Sequence, residues 1–162
     1  MGPRKSGTII NIGSIAAYGN YPFSAAYSNS KAAVHSLNDA LRSELSPFNI
    51  RVLLVAPGAI RSSFGENATK AIDYPSESSP FSSARAVLDY RATVSQQNKP
   101  TEAKVFAKWV RKESEKSYWF QRHYLTIGKK SFFGWLIFYM PPFLRDMVLY
   151  YFFGLGGMRR KN

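Results

Sequence analysis

Asn49-Ile-Arg-Val-Leu-Leu-Val-Ala56, closed by Pro57-Gly58, is the stretch that decides the fold. Its core is almost continuously apolar and rich in branched residues. A parallel strand covered on both faces has that character, whereas a half-exposed strand alternates. Upstream, Thr8-Ile-Ile-Asn-Ile-Gly13 is a second β-rich run behind a Lys-Ser-Gly turn. Between the two runs the period changes. From Ser24 to Ser46 the pattern is helical, with Val34, Leu37, Leu41 and Leu45 forming one apolar stripe. Pro47 stops that helix. Strand, helix, strand in this order predicts a right-handed crossover and a parallel α/β sheet.

Further along, Gly65 to Ser83 is rich in serine, with Pro75 and Pro80, and reads as a mobile loop. Helices are predicted over Ser82 to Val94 and Thr101 to Lys116, the second with Ala103, Phe106, Ala107 and Val110 on one face. Tyr124-Leu-Thr-Ile127 reads as a third short strand, ended by Gly128. The 162 residues are enough for one core and too few for two ordinary domains. With no cysteine and two histidines, His35 and His123, a thiolate or multi-histidine metal site is excluded. Both histidines read as structural. His35 sits on the long helix and is expected to face away from Tyr27 and Lys31.

The net charge of +12 is unevenly spread: residues 118–162 carry seven basic residues and one acidic. The same tail holds most of the aromatic residues. No nucleic-acid motif accompanies this charge, and the aromatics sit inside aliphatic runs, so nucleic acid is not expected as a partner. Phe132 to Met140 and Met147 to Phe153 are strongly apolar, separated by Pro141-Pro142 and flanked by Lys129, Lys130 and Arg159-Arg-Lys161. Neither run reaches the 18 or so residues of a spanning helix. Residues 129–161 therefore read as a membrane-surface anchor or as a lid over an apolar pocket.

Three residues carry chemistry: Ser14, Tyr27 and Lys31. Tyr27 and Lys31, at i and i+4, share a helix face. Ser14 follows the end of a strand, where ligands of open α/β sheets bind. A free tyrosine titrates near pH ~10, and a neighbouring cation favours the phenolate. Such a pair can move a proton at neutral pH while a serine hydroxyl holds the substrate oxygen. Proton transfer to oxygen pairs with hydride transfer to its carbon, which requires a cofactor.

These residues resemble the short-chain dehydrogenase/reductase family. The likeness rests on Gly7-Thr-Ile-Ile-Asn-Ile-Gly-Ser14, Tyr27-Ser-Asn-Ser-Lys31-Ala, Asn49-Ile-Arg-Val and Pro57-Gly-Ala-Ile-Arg-Ser62, in the family's order and spacing. It implies the C-terminal half of a Rossmann-like, doubly wound parallel sheet over residues 1–128. Residues 129–162 are then a helical, aromatic-rich extension, similar to that of the family's fungal-type acyldihydroxyacetone-phosphate reductases.

The resemblance further implies catalytic Ser14, Tyr27 and Lys31, and a cofactor held by Tyr27, Lys31, Pro57, Gly58, Ile60 and Ser62. NADP(H) is the implied cofactor, with NAD(H) as the alternative. No metal is implied. Gly13 replaces a commoner serine. The family's Gly-rich phosphate turn is absent from the sequence, which suggests a truncated chain.

The expected activity is reduction of a carbonyl, or oxidation of an alcohol, on a lipophilic substrate. The alternative is an inactive remnant serving as a membrane-surface or dimerisation module. A homo-oligomer through the Tyr27–Lys31 helix is expected. The expected location is intracellular: cytoplasmic, or peripheral on an endoplasmic-reticulum or lipid-droplet membrane.

Overall fold

A computed structural model describes residues 6–97, 99–116, 120 and 122–158. Three parallel strands form one sheet in the order β1-β2-β3: β1 spans Gly7–Ile12, β2 Ile50–Pro57 and β3 Tyr124–Ile127. Gly7 pairs with Ile50 and Ile12 with Val55, while Leu54 pairs with Tyr124 and Pro57 with Ile127. The apolar run that suggested a doubly covered strand is the central one. Leu53, Leu54 and Val55 are completely buried.

The two faces of β2 are covered by different helices. Leu53 and Val55 cluster with Leu125, and Phe106 and Val110 of α5 (Ala103–Ser114) pack against them. On the opposite face lies α2 (Ala25–Leu45), tied to β1 by the Asn11 Nδ2 donation to Asn38 Oδ1 at 3.0 Å. Burying Leu53 or Leu54 stabilises the fold by about 2–3 kcal/mol each, which is why the centre of the sheet tolerates no polar residue.

The helices refine several expectations. Residues 65–83 are not wholly loop, because α3 covers Phe64–Lys70. Serine and asparagine lower helix propensity there, but Gly65 is buried and Thr69 donates back to the Gly65 carbonyl at 2.9 Å. The apolar stripe of α2 is only partly covered, with Val34, Leu41 and Leu45 half-buried. Leu37 is 55% exposed, while Ser28 and Asn38 are buried completely. The predicted helix at 82–94 divides into a 3-10 turn, Ser82–Ala84, and α4, Arg85–Thr93.

The loop after β1 contains a short α1, Ala16–Gly19. Beyond β3 come α6 (Ser131–Tyr139) and α7 (Pro142–Phe152), with Pro142 in the first turn of α7, where a missing N–H costs nothing. Ile137 and Leu149 from these helices join Val87 of α4 and Phe153 in a second apolar cluster. The aromatic extension is thus anchored on the body of the protein. The Arg159-Arg-Lys161 cluster lies outside the described residues. Among those described, no helix is long and apolar enough to cross a membrane.

Candidate active site

The carboxyl ends of β1 and β2 open into a cavity of about 250 Å³. Ser14, Tyr27, Pro57, Gly58, Ile60 and Ser62 all line it. Sequence positions almost fifty residues apart therefore converge because parallel strands end on the same side of the sheet.

Ser14 is 8% exposed and sits at the turn from β1 into α1. Its Oγ accepts the Ala16 backbone N–H at 3.1 Å, which fixes the oxygen and leaves the hydroxyl proton to be donated. Tyr27 stands in the first turn of α2, its ring 5.4 Å from that of Phe64. Lys31, one turn further, does not line the cavity. Its Nζ donates to the Ile12 carbonyl at 3.2 Å and lies 5.9 Å from the centre of the Tyr27 ring. The trio is assembled, with the lysine behind the tyrosine.

The turn after β2 is held from several sides. Gly58 donates to the Ile127 carbonyl and Ala59 to the Lys129 carbonyl. A Cβ on Gly58 would lie 2.2 Å from the Lys129 carbonyl oxygen, so glycine is required for this approach. Gln96 clamps the residues just beyond the turn: its Nε2 donates to the Ile60 carbonyl at 3.0 Å and its Oε1 accepts from the Ser62 N–H at 3.1 Å. The Ile60 carbonyl is thus already engaged, with one lone pair remaining. Ser62 Oγ accepts the Phe64 N–H at 3.3 Å.

His35 corrects an expectation. It does not turn away from the site: its Nε2 accepts the Ser14 backbone N–H at 3.3 Å. Two steps of four residues rotate only roughly 80° around a helix, so Tyr27, Lys31 and His35 share a broad face. His35 also explains Gly13, since a Cβ there would lie 2.3 Å from Nε2. Burial lowers the affinity of His35 for a proton, Asp39 opposes this, and Lys31 adds to it.

Sequence reasoning missed Gln96 and also Arg91, Lys130 and Tyr21, which line the cavity as well. No short motif carries them, as their placement depends on how α4 and α6 pack. Phe133, Phe152 and Phe153 complete an aromatic wall. These three rings belong to the aromatic tail.

The description "short chain dehydrogenase" belongs to the family model that matches residues 1–73. An NADPH-dependent 1-acyldihydroxyacetone phosphate reductase of Saccharomyces cerevisiae is 32% identical over 114 residues, covering 68% of this chain and 36% of the relative. A 3-ketodihydrosphingosine reductase of Bacteroides thetaiotaomicron is 42% identical over 67 residues, 41% of this chain and 25% of the relative. Among solved structures, a short-chain dehydrogenase from Streptomyces avermitilis superposes with a TM-score of 0.66 at 24% identity, covering 98% of this chain and 55% of that one. That likeness is one of fold. Residues 1–73 belong to the short-chain dehydrogenase/reductase family, on a Rossmann-like α/β fold. The chain spans about a third of the length of the yeast relative and about half of the Streptomyces one.

Proposed function

We propose that this site belongs to an NADP(H)-dependent oxidoreductase acting on a carbonyl or alcohol of a lipophilic substrate. The observation that carries the reading is the shared cavity of Ser14 and Tyr27, with the Lys31 cation behind the Tyr27 ring. The names of the yeast and Bacteroides relatives support the cofactor and the lipid-like substrate class.

The cavity fits the nicotinamide end of such a cofactor. Its walls include apolar Ile15, Pro57 and Ile60, and Ser62 and the Gly58 turn would hold that end in place. When bound, the cofactor supplies or accepts the hydride at the substrate carbon. Ser14 donates a hydrogen bond from its hydroxyl to the substrate oxygen and orients it. Tyr27 gives its phenolic proton to that oxygen as the ketone becomes an alcohol, and takes it back in reverse. Lys31 holds positive charge beside the phenol throughout. The aromatic wall excludes water and accepts an apolar chain. These 162 residues contain no Gly-rich phosphate turn of the family's kind.

The test is NADPH oxidation by the whole protein with long-chain ketones. Tyr27→Phe should lower turnover by about 10²–10⁴-fold, as loss of a general acid does, with little change in NADPH affinity. Near-wild-type turnover in Tyr27→Phe would overturn the mechanism. An inactive wild type that still self-associates through α2 would favour the non-catalytic, dimer-forming reading. The exposed Ala25, Ala26, Ala32 and Ala33 of α2 suit close helix packing.

A membrane-surface location is part of the same proposal. Phe132, Trp135 and Tyr139 form one exposed stripe on α6, and Phe143, Met147 and Tyr151 another on α7. Together with the tail's positive charge, these stripes match an anionic lipid surface.

A further inference from the structure

A strand sends alternate amides to alternate sides. At the end of β1 the Gly13 and Ile15 N–H groups both donate towards β2, to the Val55 carbonyl at 2.8 Å and the Pro57 carbonyl at 3.2 Å. The Ser14 N–H between them points the other way, where β1 has no neighbouring strand among the described residues. Ser14 is buried, so an unpaired amide there would be costly. His35 Nε2 accepts it at 3.3 Å. Two further side chains of α2 hold the same strand end: Lys31 Nζ donates to the Ile12 carbonyl, and Asn38 Oδ1 accepts from Asn11 Nδ2. Lys31, His35 and Asn38 follow the helical repeat, so one face of α2 grips residues 11 to 14.

These bonds differ in reach. The bond from the Ala16 N–H spans two residues and orients Ser14 Oγ only within its own turn. The His35 bond spans 21 residues and ties that turn to the helix that carries Tyr27. Gly13 is the other half of the device. A Cβ there would lie 2.3 Å from His35 Nε2 and 2.6 Å from Cδ2, so the ring reaches the Ser14 amide only across a residue without a side chain. Nε2 accepts only while unprotonated, which places the proton of the neutral ring on Nδ1.

We propose that His35 is a positioning residue for the reaction: its neutral ring, seated over Gly13, holds Ser14 in register with Tyr27, and lets it go when the ring takes up a proton. The proposal rests on the oxidoreductase reading for the reaction, while the bond itself does not. The groups facing the ring come from several elements. Lys31 and Asp39 flank it on α2, and Tyr18 of α1 meets it edge-on at 5.0 Å between ring centres. Leu54 is the neighbour from β2, and Tyr124 of β3 donates to Asp39, as does Arg42. Burial raises the Tyr18 phenol, which stays uncharged at neutral pH. Burial favours the neutral imidazole; Asp39 opposes this and Lys31 reinforces it. The folded ring therefore takes its proton below the pH ~6.5 of a free histidine. As pH falls through that lower value, Nε2 turns from acceptor to donor and faces the Ser14 N–H, another donor.

The experiment follows NADPH oxidation with long-chain ketones from about pH 8 to about pH 5, beside amide NMR spectra of the full chain without ligands. In the wild type the Ser14 amide proton should shift in step with protonation of the His35 ring. Turnover should fall about 10-fold or more over the same range, since a misplacement of about 1 Å can cost about 10²-fold. Ketone reduction needs Tyr27 protonated, so titration of Tyr27 acts in the opposite direction. His35→Gln keeps an acceptor that does not titrate. It should stay within about 3-fold of wild-type turnover at pH ~8 and lose the acid fall. Gly13→Ala keeps the histidine but pushes the ring off the amide. It should lower turnover about 10-fold at every pH, with NADPH affinity within about 2-fold. A Ser14 amide that ignores protonation of the ring would overturn the bond. An acid fall of equal size in His35→Gln would overturn the positioning role and leave the reductase chemistry standing. A wild type without turnover at any pH, its Ser14 amide still following the ring, would sink the reductase reading and leave His35 purely structural.

Discussion

At the scale of the residue, Gly13, Ser14 and His35 act as one unit. The Ser14 N–H needs an acceptor, and His35 Nε2 supplies it only while the ring is neutral. An unfolded histidine takes up a proton near pH ~6.5, and burial lowers that value in the folded protein. Below pH ~6.5 the unfolded chain therefore binds more protons than the folded one. The stability contributed by the neutral ring is complete above that pH and is lost as pH falls through the lower folded value. Urea midpoints should accordingly fall between about pH 7 and pH 5, with a smaller fall in His35→Gln. Identical pH profiles for the two proteins would refute the role. Asp39 and Glu113 enter only at more acidic pH. Burial pushes both up, but hydrogen bonds from Tyr124 and Arg42 to Asp39, and from Lys116 and the Arg122 N–H to Glu113, bring both below their ordinary range. Ser14, Tyr27 and Lys31 were legible in the sequence because their spacing is local to one strand end and one helix. The orientation of His35 was not, because it depends on a void left by Gly13.

At the scale of the element, the strands were readable almost to their ends. Apolar runs bounded by Pro-Gly and Gly leave few alternatives, and Tyr124–Ile127 is a strand over the very residues expected. α3 was hidden because its composition is that of a loop. The α2 stripe left open how deeply the helix is buried, because an apolar periodicity says which residues share a face and not how far that face is covered. The turn between β2 and α3 yields a sharper test. A side chain at position 58 meets backbone atoms, the Lys129 carbonyl oxygen and, at 2.9 Å, the Ser131 nitrogen. Backbone cannot swing aside as a flexible side chain can. Gly58→Ala should destabilise the protein by about 1–3 kcal/mol or more in chemical denaturation. Gly157→Ala, which meets nothing within 4 Å, should stay within about 0.5 kcal/mol of the parent. Comparable stabilities for the two variants would contradict the close approach.

At the scale of the whole molecule, the cavity joins residues that no local pattern connects. Tyr21, Arg91, Gln96 and Phe153 reach it from three separate segments, so its far wall could not be read from spacing. The tail was legible as apolar and basic. That it both lines the cavity and bares two aromatic stripes emerged only from its packing on α4. If those stripes meet lipid, the protein should sediment with vesicles containing phosphatidylserine and less with neutral ones. Replacing Phe143 and Tyr151 together by serine should reduce that partition about 10-fold or more, since each exposed ring contributes about 1 kcal/mol or more on burial. Unchanged sedimentation would place the stripes elsewhere. The sheet has a further property. β1 pairs with β2 and, among the described residues, with no other strand. The Gly13 N–H bonds to the Val55 carbonyl, so by alternation the amides of Asn11 and Ile9 also point towards β2. Those of Ile10 and Ile12 point the other way, and Lys31 holds the Ile12 carbonyl on that side. A single strand therefore carries two interleaved sets of amides. One is shielded by the sheet, and the other has no partner strand among the described residues and is open to deuterium or to the backbone of an incoming strand, with Lys31 standing at its last position.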